Sequence, residues 1–84
     1  MNNLELAKLH GQLSELGCEM RGLVESRETV VLAERDHPLH PWVVWFYYDE
    51  ALSYGAYCAT ETEALEEFLR RVERLKQLTQ RRAA

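Results

Sequence analysis

A chain of 84 residues with 46% hydrophobic and 29% charged side chains has the balance of one small globular domain and leaves no room for a second. Its net charge of −4 is divided: residues 1–69 carry 13 acids against Lys8, Arg21, Arg27 and Arg35, a sum of −9, whereas residues 70–84 carry Glu73 against six bases, a sum of +5. An acidic body repels phosphate, and the longest apolar run, Trp42 to Tyr48, is far short of the roughly 20 residues that cross a bilayer, so direct nucleic-acid binding by the body and a membrane span are both disfavoured.

The apolar residues Leu6, Leu9, Leu13, Leu16, Met20 and Leu23 are spaced three or four apart, which predicts one helix over about residues 3–24. Asn2, with Glu5 three residues later, forms its capping box. Gly11, Gly17 and Gly22 each cost such a helix roughly 0.5–1 kcal/mol against Ala, so packing must hold it.

The short β-branched run Thr29-Val30-Val31-Leu32-Ala33 predicts a strand over about 29–34. Arg35 to Pro41 contains two prolines, which cannot donate ladder hydrogen bonds, and is expected to be a loop. Trp42 to Tyr48, apolar on both faces, predicts the central strand over 42–48. Asp49-Glu50-Ala51 interrupts the run, and the chain resumes as a third strand over about 52–59, making a hairpin. Pairing Tyr48 with Ser53, Tyr47 with Tyr54, Phe46 with Gly55 and Trp45 with Ala56 puts Val43, Trp45, Tyr47, Tyr54, Ala56 and Cys58 on one face. Trp42, Val44, Phe46, Tyr48, Ser53, Gly55 and Tyr57 take the other. Free cysteine is among the most buried residue types, so the Cys58 face is expected inward.

Thr60 and Glu63 form a second capping box, opening a helix over about 61–79 whose apolar face is Ala64, Leu65, Phe68, Leu69, Val72, Leu75 and Leu78. Residues 80–84 form a basic tail, and cations there suit the negative end of the helix dipole without any partner. The expected fold is α+β, in the order α-β-β-β-α. It has a three-stranded antiparallel sheet of order 1-2-3 and two helices on one face.

Chemistry-bearing patterns are sparse. His37 and His40 have metal-like spacing, but a tetrahedral zinc site needs four ligands and Cys18 and Cys58 belong to other elements, so no metal is expected. Two cysteines suit reduced, small-hydrophobe use in a cytoplasmic protein, and no local cation activates either as a nucleophile. The carboxylate pairs Asp49-Glu50 and Glu66-Glu67 point in different directions, and there is no glycine-rich phosphate loop. A non-enzyme without a cofactor is expected.

The remaining feature is aromatic. Two helices laid on one face leave Trp42, Val44, Phe46, Tyr48 and Tyr57 uncovered, a patch large enough to signal a partner or a homodimer; one helix on each face is the self-sufficient alternative. The expected partner-binding residues are Trp42, Phe46, Tyr48 and Tyr57, with Asp49 and Glu50 at the hairpin tip. Base-stacking platforms sit in basic surroundings and this one does not, so protein is the better ligand.

The segment YYDEALSYGAYCATETEALEEFLRRV, an aromatic hairpin running into a capped helix on a short acidic chain, resembles the small phage-encoded anti-CRISPR proteins. That resemblance implies a stoichiometric inhibitor in the host bacterial cytosol, docking on a basic, nucleic-acid-handling surface of a CRISPR effector complex. Acidic groups around an aromatic anchor would speed encounter with such a surface. The part from Tyr47 to Val72 is also similar to the β-β-α half of HicB-like antitoxins, which implies a regulatory module paired with a toxin. A homodimeric structural protein is the third reading.

Overall fold

The computed structural model describes residues 1–26 and 28–83, residues 78–83 by their backbone. It contains α1 (Asn3–Glu15), β1 (Cys18–Glu25), β2 (Thr29–Arg35), β3 (Trp42–Tyr48), β4 (Ala51–Cys58) and α2 (Glu61–Ala83). The fold is α+β, and its antiparallel sheet has four strands in the order β1-β2-β3-β4 rather than three.

The additional strand comes from the expected long first helix. Asn2 Oδ1 accepts from the Glu5 amide at 2.8 Å and starts α1, but the helix stops at Leu16. There the Leu16 amide bonds back to Gln12 and Leu13, and Gly17 turns the chain at φ +71°, a left-handed conformation that glycine adopts without a Cβ penalty. Residues 18–25 then pair with β2. A bulge between Met20 and Gly22 places Cys18, Met20 and Leu23 together against α1.

The two helices lie on opposite faces of the sheet, not on one. Leu9 and Leu13 of α1 pack on Val31, Ala33, Val43, Trp45 and Tyr47. Ala64, Phe68, Val72 and Leu75 of α2 pack on Val30, Leu32 and Val44, the alternate residues of the same strands. That explains why β2 and β3 are apolar on both faces: each face is a core. A helix already lies across the wall that a one-faced arrangement would have left open. Residues 80–83 of the expected tail continue α2, which Thr60 caps by accepting from the Glu63 amide at 3.2 Å; Ala84 is outside the described residues. Among the described residues no helix is long and apolar enough to cross a membrane.

The β3–β4 register also departs from the expected one. The turn is two residues long, Asp49 and Glu50, so Tyr48 pairs with Ala51, Tyr47 with Leu52 and Phe46 with Ser53. A bulge at Tyr54–Gly55 then shifts the ladder, and Val44 pairs with Ala56, Val43 with Tyr57 and Trp42 with Cys58. A one-residue slip moves every following side chain to the other face. Cys58 and Ala56 therefore face α2, while Tyr57 lies on the α1 side, edge-on to Trp45 with centroids 6.3 Å apart.

Candidate functional site

The β3–β4 hairpin carries the strained backbone of this protein. Asp49 (φ 51°), Glu50 (φ 61°) and Tyr54 (φ 52°) are the non-glycine residues with positive φ among those described, and such conformations cost on the order of 1–3 kcal/mol each. Positive φ at both central residues is what a two-residue hairpin turn of right-handed strands requires, although Asn-Gly would fill it at lower cost.

Both helices hold the hairpin in place. From α1, Lys8 Nζ pairs with Glu50 Oε1 at 2.7 Å and Gln12 Nε2 donates to the Glu50 carbonyl at 2.6 Å. From α2, Arg71 donates to the Tyr54 carbonyl at 2.8 Å and the Val44 carbonyl at 3.4 Å, and stacks 4.7 Å from the Phe46 ring centroid. Glu67 Oε2 accepts from Arg71 Nε at 3.0 Å and fixes the guanidinium plane.

The six expected partner-binding residues separate. Trp42 is half-buried against α2, and Tyr57 stands on the α1 face beneath the Arg35 guanidinium, 5.1 Å from its centroid; neither belongs to the hairpin tip. Phe46, Tyr48, Asp49 and Glu50 stay together there. Phe46 and Tyr48 line a groove of about 490 Å³ between the hairpin and α2, joined by Tyr54, Arg71, Arg74 and Glu28. Tyr54 is 81% exposed and meets Phe46 edge-on at 6.4 Å. Asp49 and Glu50 line a separate cleft of about 400 Å³ with Glu5, Glu25 and Glu28, between the start of α1 and the two hairpin turns. Tyr48 and Glu28 border both hollows.

The floor of the acidic cleft includes Tyr47, which is 7% exposed and whose hydroxyl is buried without a hydrogen-bond partner. Burial, and then the Glu50 charge, push its pKa up, so the phenol stays neutral. Sequence reasoning missed Tyr54, Glu28, Arg71 and Arg74. The Tyr54 position follows from an unforeseen bulge, and the other three come from elements remote in sequence.

The other chemistry-bearing residues stay apart. Cys18 and Cys58 are buried in the cores on opposite sheet faces, and burial pushes both thiols up. His37 Nδ1 accepts from the amides of Leu39 (3.2 Å) and His40 (2.9 Å), so this nitrogen ties the proline-bracketed loop. No cluster of metal-ligating side chains occurs among the described residues. Comparison with protein-family models, with curated proteins and with solved structures finds no match.

Proposed function

We propose that this protein is a non-catalytic docking module that binds another protein through the tip of its β3–β4 hairpin, as a stoichiometric inhibitor does. Tyr48 carries the reading: 69% exposed at the end of β3, it stands between an aromatic groove and an acidic cleft and lines both. Contiguous apolar and charged hollows sharing a tyrosine suit a protein partner, because rigid tyrosines anchor an interface while charge around them directs approach. The strained φ values fit a surface held rigid by two helices before the partner arrives.

The anti-CRISPR resemblance gives the proposal its specific form, a partner whose basic site handles nucleic acid in a bacterial defence complex. The test is titration of the full chain into purified CRISPR effector complexes, with displacement of their nucleic acid as the readout. Tyr48→Ala and Tyr54→Ala should each weaken binding by about 2 kcal/mol, the scale of a hot-spot loss, whereas Tyr57→Ala on the other face should not. Absence of binding to every effector removes the counter-defence identity. Unchanged affinity in both hairpin variants removes the docking surface.

One observation favours self-association as a second reading. The outer strand β4 carries no charged residue and no proline, unlike the other outer strand, β1, with Glu19, Arg21 and Glu25. Antiparallel pairing of two β4 strands, however, would bring Asp49 and Glu50 of one copy towards Glu61 and Glu63 of the other. That repulsion makes a heterologous partner the better fit.

A further inference from the structure

The acidic cleft has an arrangement that a solvated acidic face does not need. Glu5, Glu25, Glu28, Asp49 and Glu50, from three parts of the chain, line one cleft together with Tyr47, and the Glu50 and Glu5 charges act on the Tyr47 hydroxyl. Two of these carboxylates meet cations already: the Met1 ammonium donates to Glu25, and Lys8 pairs with Glu50 from α1. Glu28 and Asp49 have no cation against them among the described residues. A buried hydroxyl without a partner loses its hydration and gains nothing in return, a cost that a bound donor would remove. The Tyr47 oxygen and the carboxylates that line the same cleft are acceptors awaiting donors.

We propose that this cleft receives an arginine side chain of the partner protein, its guanidinium donating to Glu28, Asp49 and the Tyr47 oxygen. A guanidinium fits better than an ammonium because its five donors lie in one plane and can serve several separate acceptors, and because it is more weakly hydrated and enters a partly buried site at lower cost. Its source is a protein because the cleft shares Tyr48 and Glu28 with the aromatic groove, so a ligand seated in one continues into the other. The source of the arginine rests on the docking reading above; the cation chemistry of the cleft does not.

The test uses the full chain and needs no identified partner. A capped Gly-Arg-Gly peptide is titrated at constant ionic strength while backbone and tyrosine resonances are followed by NMR, with the citrulline peptide, the lysine peptide and spermidine in parallel. The arginine peptide should shift resonances of Glu28, Tyr47 and Asp49 saturably, with the lysine peptide weaker and the citrulline peptide, isosteric but uncharged, without effect. Tyr47→Phe removes one oxygen and keeps the ring, and it should weaken peptide binding several-fold; Glu28→Gln combined with Asp49→Asn should weaken it about tenfold, the effect of about 1.4 kcal/mol. Because Tyr47→Phe deletes an unpartnered group, the fold should be as stable or more so, which separates a binding loss from a folding loss.

Equal binding of the citrulline peptide, or binding unaffected by these substitutions, would overturn the site. Spermidine binding tighter than the arginine peptide would overturn the protein source. Arginine binding at the cleft without any effector binding would sink the counter-defence identity alone.

Discussion

Arg71, on the second helix, donates to the carbonyl of Tyr54 at 2.8 Å, and Tyr54 is the residue that holds the β4 bulge in a left-handed conformation. The helix is therefore latched to the kink that aims the most exposed tyrosine of the surface. The same guanidinium stacks on Phe46 and is fixed by Glu67, so one side chain joins α2, the bulge and the aromatic groove.

Replacing Arg71 should loosen all three. Arg71→Leu keeps the apolar stem but takes the donor from the Tyr54 and Val44 carbonyls and leaves Glu67 with Arg70 alone of its two arginines. A loss of about 2–3 kcal/mol in urea unfolding is expected, the scale of hydrogen bonds to a charged group. A change within about 0.5 kcal/mol, as for an ordinary surface substitution, would show that the latch contributes little.

Two glycines should respond in opposite directions. A Cβ built on Gly55 would lie 2.7 Å from Trp45 Nε1 and 3.1 Å from Tyr57 Cε2, and Trp45 is buried and cannot move aside. Gly55→Ala should destabilise the protein by about 1–3 kcal/mol through overpacking. Gly11 has nothing within 4 Å and lies inside α1, so Gly11→Ala should stabilise by about 0.5–1 kcal/mol. Thermal or urea unfolding of the two variants checks both signs.

Tyr54→Gly removes a bulky residue from a left-handed position worth about 1–2 kcal/mol of strain, against the edge contact with Phe46 and glycine's greater unfolded-state entropy. Stability should stay the same or rise by up to about 1 kcal/mol while partner binding falls. A variant that is clearly less stable would mean that the ring contributes more to the fold than the strain takes away.

Alkaline pH should weaken the fold. Burial raises the folded-state pKa of Cys18 and Cys58 above the ordinary 9.0 and of Tyr47 above 10.0, and the hydrogen bond to Glu50 raises Lys8 above 10.5. In each case the protonated form is favoured by folding. The contribution is therefore complete below the unfolded value and is lost as pH climbs through the folded one; the decline begins above pH 8.0 with the Met1 ammonium, which its hydrogen bond to Glu25 raises above the ordinary 8.0, and continues above pH 9.0 with the thiols. Urea midpoints measured across that range should fall, and fall less steeply in the Cys18→Ala, Cys58→Ala double variant.

The helix caps, the inner strand Trp42–Tyr48 and the proline-bracketed loop could be read from residue types, because each depends on neighbours only a few positions away. The first strand was concealed by a coincidence of spacing. The bulge after Met20 puts Met20 and Leu23, three residues apart, on one face, and this continues the three-and-four spacing of the α1 leucines. Gly17 was the available signal, as the left-handed stop that the structure uses. The second bulge, at Tyr54, reversed the faces of β4 and with them the place of Tyr57; pattern alone cannot locate an extra residue that is held by an arginine 17 positions away on another element. The two-faced apolar character of β2 and β3 was visible, but whether one helix or two would cover it depended on how far the first helix ran.

Each strand lies beside its neighbour in sequence, so the sheet assembles by successive local closures and needs no long crossover search. Such low-separation pairing favours rapid folding. A chain built this way can begin to zip together strand by strand while its carboxyl end is still being synthesised, and α2 closes the second core last.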